Sequence, residues 1–108
     1  MQLITSESEF DQAMEQSSQT PVVVFKHSTQ CPISAAAYRQ MESFAETAST
    51  PVYLVRVIEE RPLSNAIAER LLVRHQSPQV MVVKSGGVTW QASHYDITTK
   101  AVTEAVNV

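Results

Sequence analysis

The chain of 108 residues contains one cysteine, Cys31, which excludes an internal disulfide. No two of its eight lysines and arginines are adjacent, and aromatic residues make up only 6% of the chain. No basic stripe with interleaved rings is therefore available to follow a phosphate backbone, and nucleic acid is not an expected partner. No apolar run approaches the length of about 18 residues that a membrane-crossing helix needs. Met1-Gln2-Leu3-Ile4 turns polar at once, without the charged lead and apolar stretch of a secretion signal. These absences imply a cytoplasmic protein that keeps its thiol reduced and has no membrane partner. The few prolines and the single Gly86-Gly87 pair fall between periodic segments, and no repeat or linker interrupts the chain. One domain over residues 1–108 follows, small, monomeric and able to bury its own core.

The segments that are present alternate in character. Ser6 with Glu9 three positions on reads as a capping box opening a short helix with Phe10, Ala13 and Met14 on one side. Pro21-Val22-Val23-Val24-Phe25 is apolar without alternation, as in a central strand buried on both faces. After the polar bend His27-Ser28-Thr29-Gln30, the residues Ile33, Ala37, Met41, Phe44 and Ala48 recur at helical spacing, with Pro32 in the first turn where a missing N–H costs nothing. Val52 to Val57 reads as a second strand, joined to the first by a right-handed βαβ crossover. Pro62 opens a helix with Leu63, Ala66, Ile67, Leu71 and Leu72 on one face. Residues 79–84 and 88–92 flank Ser85-Gly86-Gly87 as a hairpin. A last helix runs from about Thr98 to Val106 and presents Val102, Ala105 and Val106. The order is αβαβαββα, an α/β fold with a mixed four-stranded sheet and helices on both faces.

Chemistry concentrates at Cys31-Pro32-Ile33-Ser34. The only thiol stands between a central strand and the N-terminus of its crossover helix, at the carboxyl end of the strand, where ligands of open α/β sheets collect. Open backbone N–H groups and the helix dipole favour a thiolate there, so the position predicts a reactive cysteine rather than a small buried hydrophobe. Its neighbours His27, Ser28, Thr29, Gln30 and Ser34 are all polar, which supports the reactive reading. His27 is a candidate to hydrogen-bond the thiolate or carry a proton, although a strand-end histidine facing water is the plainer reading and the one favoured. Ser34 is a candidate donor to the thiolate and equally a first-turn serine that satisfies backbone groups. Pro78, just before a strand, cannot take part in a ladder, and the Ser77–Pro78 bond is one where a cis peptide is accessible.

Element order, the Cys-Pro-x-Ser turn and Pro78 together resemble the thioredoxin-like fold. That resemblance implies a cis-proline loop against Cys31, with the backbone of Ser77 pairing with an extended thiol ligand as an added strand would. Within that fold, Phe25-Lys26-His27-Ser28-Thr29-Gln30-Cys31-Pro32-Ile33-Ser34 resembles the monothiol bacilliredoxin family. The family motif is Thr-Cys-Pro-Ile-Ser, with Gln30 here in place of the threonine, and Ser93-His94-Tyr95-Asp96-Ile97-Thr98 before the last helix is similar too. The resemblance implies a thiol–disulfide oxidoreductase with no bound cofactor. It would take bacillithiol as co-substrate, removing it from S-bacillithiolated cytoplasmic proteins. Ser34 stands where a dithiol enzyme has its resolving cysteine, so free bacillithiol or a second redoxin must regenerate the thiol.

Two other classes use the same residues differently. An iron–sulfur carrier of the monothiol glutaredoxin kind has Cys-Gly-Phe-Ser, and Pro32 removes both the glycine's freedom and an N–H; absorption spectra of fresh protein separate this case. A binding module without chemistry would leave Cys31 unreactive toward alkylating agents. A zinc site from His27, Cys31, His75 and His94 lacks any paired ligand spacing, so no metal is expected. Trp90 reads as packed or half-exposed on the hairpin, and Glu59-Glu60-Arg61 as a solvated loop.

Overall fold

The computed structural model describes all residues, 1–108. Its elements are β1 (Gln2–Leu3), α1 (Glu7–Gln16), β2 (Val22–His27), α2 (Pro32–Thr47), β3 (Val52–Arg56), α3 (Arg61–Leu71), β4 (Gln79–Lys84), β5 (Gly87–Ser93), a 3-10 turn (His94–Asp96) and α4 (Thr99–Val106). The sheet has five strands in the order β1-β3-β2-β4-β5, not the four expected. The extra strand is β1, two residues parallel to β3 with Gln2 beside Tyr53 and Leu3 beside Leu54. Two residues are too short to show alternation in sequence. Ile4, which follows them, is fully buried and its N–H reaches the Leu54 carbonyl at 3.0 Å, so the pairing anchors the start of the chain.

β2 is central, parallel to β3 and antiparallel to β4. Alternate side chains of these strands enter two separate cores. Val22, Val24, Val55, Met81 and Val83 pack on one face against Phe10 and Ala13 of α1 and Leu63 and Ile67 of α3. Val23, Phe25, Val80 and Val82 pack on the other against Ala37, Met41 and Phe44 of α2 and Val102 and Ala105 of α4. A sheet covered on both faces explains why β2 and β4 lack alternation, since every position meets a helix.

Local signals set the boundaries. The Ser6 hydroxyl accepts the Glu9 N–H at 3.2 Å, while the Glu9 carboxylate accepts the Thr5 N–H at 2.9 Å, one residue earlier than in a standard capping box. Those Thr5 contacts hold the Glu9 carboxyl below its ordinary pKa. α4 is capped in the same way, the Thr98 hydroxyl accepting from the Ala101 N–H at 3.1 Å. α3 ends earlier than its apolar pattern implies. Leu72 adopts the left-handed region at φ 56° as the cap and is 91% exposed, so it does not share the buried face of Leu63 and Ile67. In the hairpin, the two residues with positive φ are Ser85 at 50° and Gly86 at 78°, the requirement of a type I′ turn. Gly87 already pairs with Lys84 as the first residue of β5.

Candidate active site

Cys31 is the N-cap of α2, with extended backbone at φ −120° and ψ 124°, and Pro32 is the first helical residue. The Cys31 carbonyl accepts the Ala35 N–H at 3.0 Å, closing the first turn. The residue is half-exposed and its thiol caps no helix N–H, which leaves the sulfur uncommitted. The first-turn N–H groups have no carbonyl one turn back to bond, so the sulfur sits at the positive end of the helix.

Ser34 lies one turn further on, fully buried, with its hydroxyl turned into the β2–α2 loop. Its Oγ accepts the Ser28 N–H at 2.8 Å and lies 2.8 Å from His27 Nδ1. Of the two roles open to Ser34 in the sequence, these contacts are of the backbone-satisfying kind. His27 does not face water as the plainer reading of the sequence had it. Its ring is half-buried against Tyr38, with centroids 4.8 Å apart, and near Phe25 at 5.7 Å. Burial pushes its pKa below the ordinary value, an effect that Ser34 and Glu59 partly offset. A neutral ring accepting the Ser34 hydroxyl proton at Nδ1 satisfies all three groups. Ser34 therefore ties strand, loop and helix together within the first turn of α2 after Cys31. Ser34→Ala removes the acceptor of a buried N–H and the partner of His27, and is expected to cost roughly 1–3 kcal/mol in chemical denaturation.

The loop after α3 reaches the same end of the sheet. The Ser77–Pro78 bond is cis. Lys26 pairs with Gln79 across β2 and β4, so the next step along that antiparallel ladder sets Pro78 beside His27, at the end of β2 that leads to Cys31. The Pro78 carbonyl accepts the His94 N–H at 3.1 Å, which fixes the loop to the turn after β5. Ser77 itself is open: neither its N–H nor its C=O is engaged by any backbone group, and its buried hydroxyl has no partner. His75 lies on the α3 side with Lys26, and His94 follows β5, so the four residues weighed for zinc do not converge.

A half-exposed lone cysteine at a helix N-cap, a cis-proline loop at the same sheet end and two helical layers can also be compared with known proteins. The family model of the monothiol bacilliredoxin BrxC matches residues 2–102. The chain belongs to the monothiol bacilliredoxin family. This bacilliredoxin is also similar to a solved protein assigned as an oxidoreductase with a thioredoxin fold, at 36% identity and TM-score 0.89, covering 96% of this chain and 91% of that one. Thioredoxin from Fasciola hepatica shares the fold at 13% identity, with TM-score 0.79 and coverage of 99% and 97%. The thioredoxin of Malassezia sympodialis does so at 20% identity, with TM-score 0.76 and coverage of 99% and 88%. The bacilliredoxin is thus a thiol–disulfide oxidoreductase of thioredoxin-like fold with a single thiol. No helix is long and apolar enough to cross a membrane.

Nothing in the sequence links two polar residues that meet beside the site, Lys26 and His75, the second of which was weighed there only as a zinc ligand. Lys26 is fully buried in β2, where its Nζ lies 3.1 Å from His75 Nδ1. For the burial of Lys26 a signal was available: a strand with no alternation, buried on both faces, does not stop at Phe25 but carries a lysine into the interior.

Proposed function

We propose that this protein removes bacillithiol from mixed disulfides on cytoplasmic proteins, with Cys31 as the attacking group. The observation that carries the reading is the placement of the only cysteine, half-exposed and with its thiol uncommitted, at the N-cap of α2 on the sheet end that also holds the open backbone of Ser77. An extended segment around a modified cysteine can pair with Ser77 as a short added strand, which brings its disulfide to Cys31. The family supplies the identity of the small thiol. Pro32 and Ser34 support the thiol by fixing the first turn of α2, and His27 does so through Ser34.

In the first step the Cys31 thiolate attacks the bacillithiol sulfur. A new S–S bond joins Cys31 to bacillithiol, the old S–S bond breaks, and the client sulfur leaves as a thiolate that takes a proton from water. In the second step the thiolate of free bacillithiol, or of a second redoxin, attacks the bacillithiol sulfur of the adduct: a new S–S bond forms there, the bond to Cys31 breaks, Cys31 leaves as a thiolate, and the small thiol departs as bacillithiol disulfide or as a mixed disulfide on the redoxin. Ser34 has no sulfur and cannot discharge the adduct internally.

The test is stoichiometry. Mixed with an S-bacillithiolated client and no reductant, each molecule is expected to release at most one client thiol and to gain the mass of one bacillithiol in intact-mass spectra. Free bacillithiol or a dithiol redoxin should restore cycling. Parallel incubations with glutathionylated and coenzyme A-modified clients rank the small thiols. Many turnovers without any added thiol would overturn the monothiol mechanism, and reaction with the other two clients but not the first would overturn the choice of bacillithiol.

A further inference from the structure

Lys26 is 0% exposed, yet no carboxylate pairs with it: the ion pairs of the molecule are Arg56–Glu60, Arg70–Glu7 and Arg70–Asp11. A buried, unpaired ammonium is costly and rare, so its contacts call for a reason. Its Nζ donates to the Ser64 carbonyl of α3 at 2.9 Å and meets His75 Nδ1 at 3.1 Å. His75 belongs to residues 73–78, which have no regular secondary structure and end in the cis bond before Pro78. The neighbour of Lys26 across the ladder, Gln79, is also fully buried and grips the same segment. Its Nε2 donates to the Arg74 carbonyl at 3.0 Å and its Oε1 accepts the Gln76 N–H at 3.3 Å. Two adjacent interior polar side chains therefore hold three consecutive residues of a loop whose backbone is otherwise tied only at its two ends, Val73 and Pro78, and the next residue is Ser77, whose backbone is open.

We propose that Lys26 is a positioning residue for the disulfide-exchange reaction: through His75 it fixes residues 73–78 against the end of β2, so that the free N–H and C=O of Ser77 are presented to the incoming mixed disulfide. The proposal rests on the reading of Ser77–Pro78 as the loop that pairs with the ligand. Lys26 points to the α1–α3 face, whereas α2, with Cys31 at its N-cap, covers the opposite face. Its influence therefore runs through the loop and not through the thiol.

Lys26→Met keeps the unbranched shape of the side chain at one atom less in length and removes its donors. Alkylation of Cys31 by iodoacetamide, which needs no loop, is expected to stay within about two-fold of wild type. The single-turnover rate with a mixed-disulfide client is expected to fall roughly ten-fold or more, because small displacements of a positioning element cost about that much. His75→Ala should show the same split, and the double variant should be no slower than Lys26→Met alone, since both act through one contact. The comparison is read on whichever mixed disulfide wild type attacks, so it survives a wrong assignment of the small thiol. Pro78→Ala isolates the underlying reading. If it slows the client reaction while Lys26→Met and His75→Ala do not, the loop reading stands and the role of Lys26 is overturned; if Pro78→Ala leaves the client rate unchanged, both fall. Equal losses in alkylation and client reaction for Lys26→Met would also overturn the proposal. Should Lys26→Met fail to fold, His75→Ala decides alone.

Discussion

Cys31→Ser is expected to abolish release of client thiols altogether, to the limit of detection, while leaving a folded protein. A hydroxyl at this position is far too weakly acidic to supply an oxyanion at neutral pH, and an alkoxide–disulfide exchange has no counterpart to the sulfur–sulfur transfer. The fold should tolerate the change and gain from it. Cys31 is the N-cap of α2 and makes no capping hydrogen bond, whereas serine is among the best residues there, accepting an N–H of the first turn. Denaturation should therefore show equal or higher stability, by up to about 1 kcal/mol. Loss of activity with stability retained assigns the chemistry to the sulfur; residual release by Cys31→Ser would require another nucleophile, and the chain has no second cysteine to offer.

The second large effect is in stability against pH. Burial pushes the Lys26 amine down from its ordinary 10.5 to about 8. The groups that face it are neutral or cationic: the Ser64 carbonyl and His75 directly, Val55 and Gln79 on the flanking strands, and Arg61 near His75. Above pH 10.5 the amine is neutral in both the folded and unfolded chains, and its titration contributes nothing. Between 10.5 and about 8 the unfolded chain binds a proton that the folded chain refuses, so the fold loses stability as the pH falls through this window; below it the deficit is constant. Raising the pH from about 8 to 10.5 should accordingly stabilise wild type relative to Lys26→Met by about 3 kcal/mol, at about 1.4 kcal/mol per unit. Urea denaturation of both proteins at several pH values measures the difference, and the subtraction removes the tyrosines and other lysines they share. At neutral pH, Lys26→Met should be no less stable than wild type, because an apolar side chain of the same unbranched shape replaces an uncompensated buried charge. Parallel pH profiles for the two proteins would show that the amine is not desolvated.

Much of this molecule is written in local chemistry. Pro32 after Cys31, Ser6 with Glu9, Thr98 before α4 and the unalternating valines of β2 each act within one element, and each marks its element in the sequence. The strand β1 left no such mark, since its two residues are strand only because Tyr53 and Leu54 lie alongside. Leu72 continues the apolar spacing of α3, yet the helix has already ended at Leu71. The position of Cys31 at the end of a central strand was legible, and so was the bend that carries it. The contacts beneath it were not. His27 and Ser34 are seven residues apart, and Lys26 and His75 are separated by 49, so the pairings depend on how β2, α2 and the Pro78 loop pack.

The bulge in the last hairpin bears on what the sheet can recruit. Val82 pairs with Trp90 and Val83 with Val88, so Thr89 has no opposite number, and its hydroxyl turns back toward the Val82 carbonyl at 3.4 Å. A regular seven-residue edge would offer a straight template on which another chain could anneal. An unmatched residue in mid-strand interrupts that template and coils the outer rim, which discourages edge-to-edge growth. At the opposite rim, β1 is only two residues long. With both margins of the sheet blunted, the open amide and carbonyl of Ser77 offer a visiting strand room for a brief pairing only. That suits the role proposed for the protein, in which each client is held for one exchange and then released.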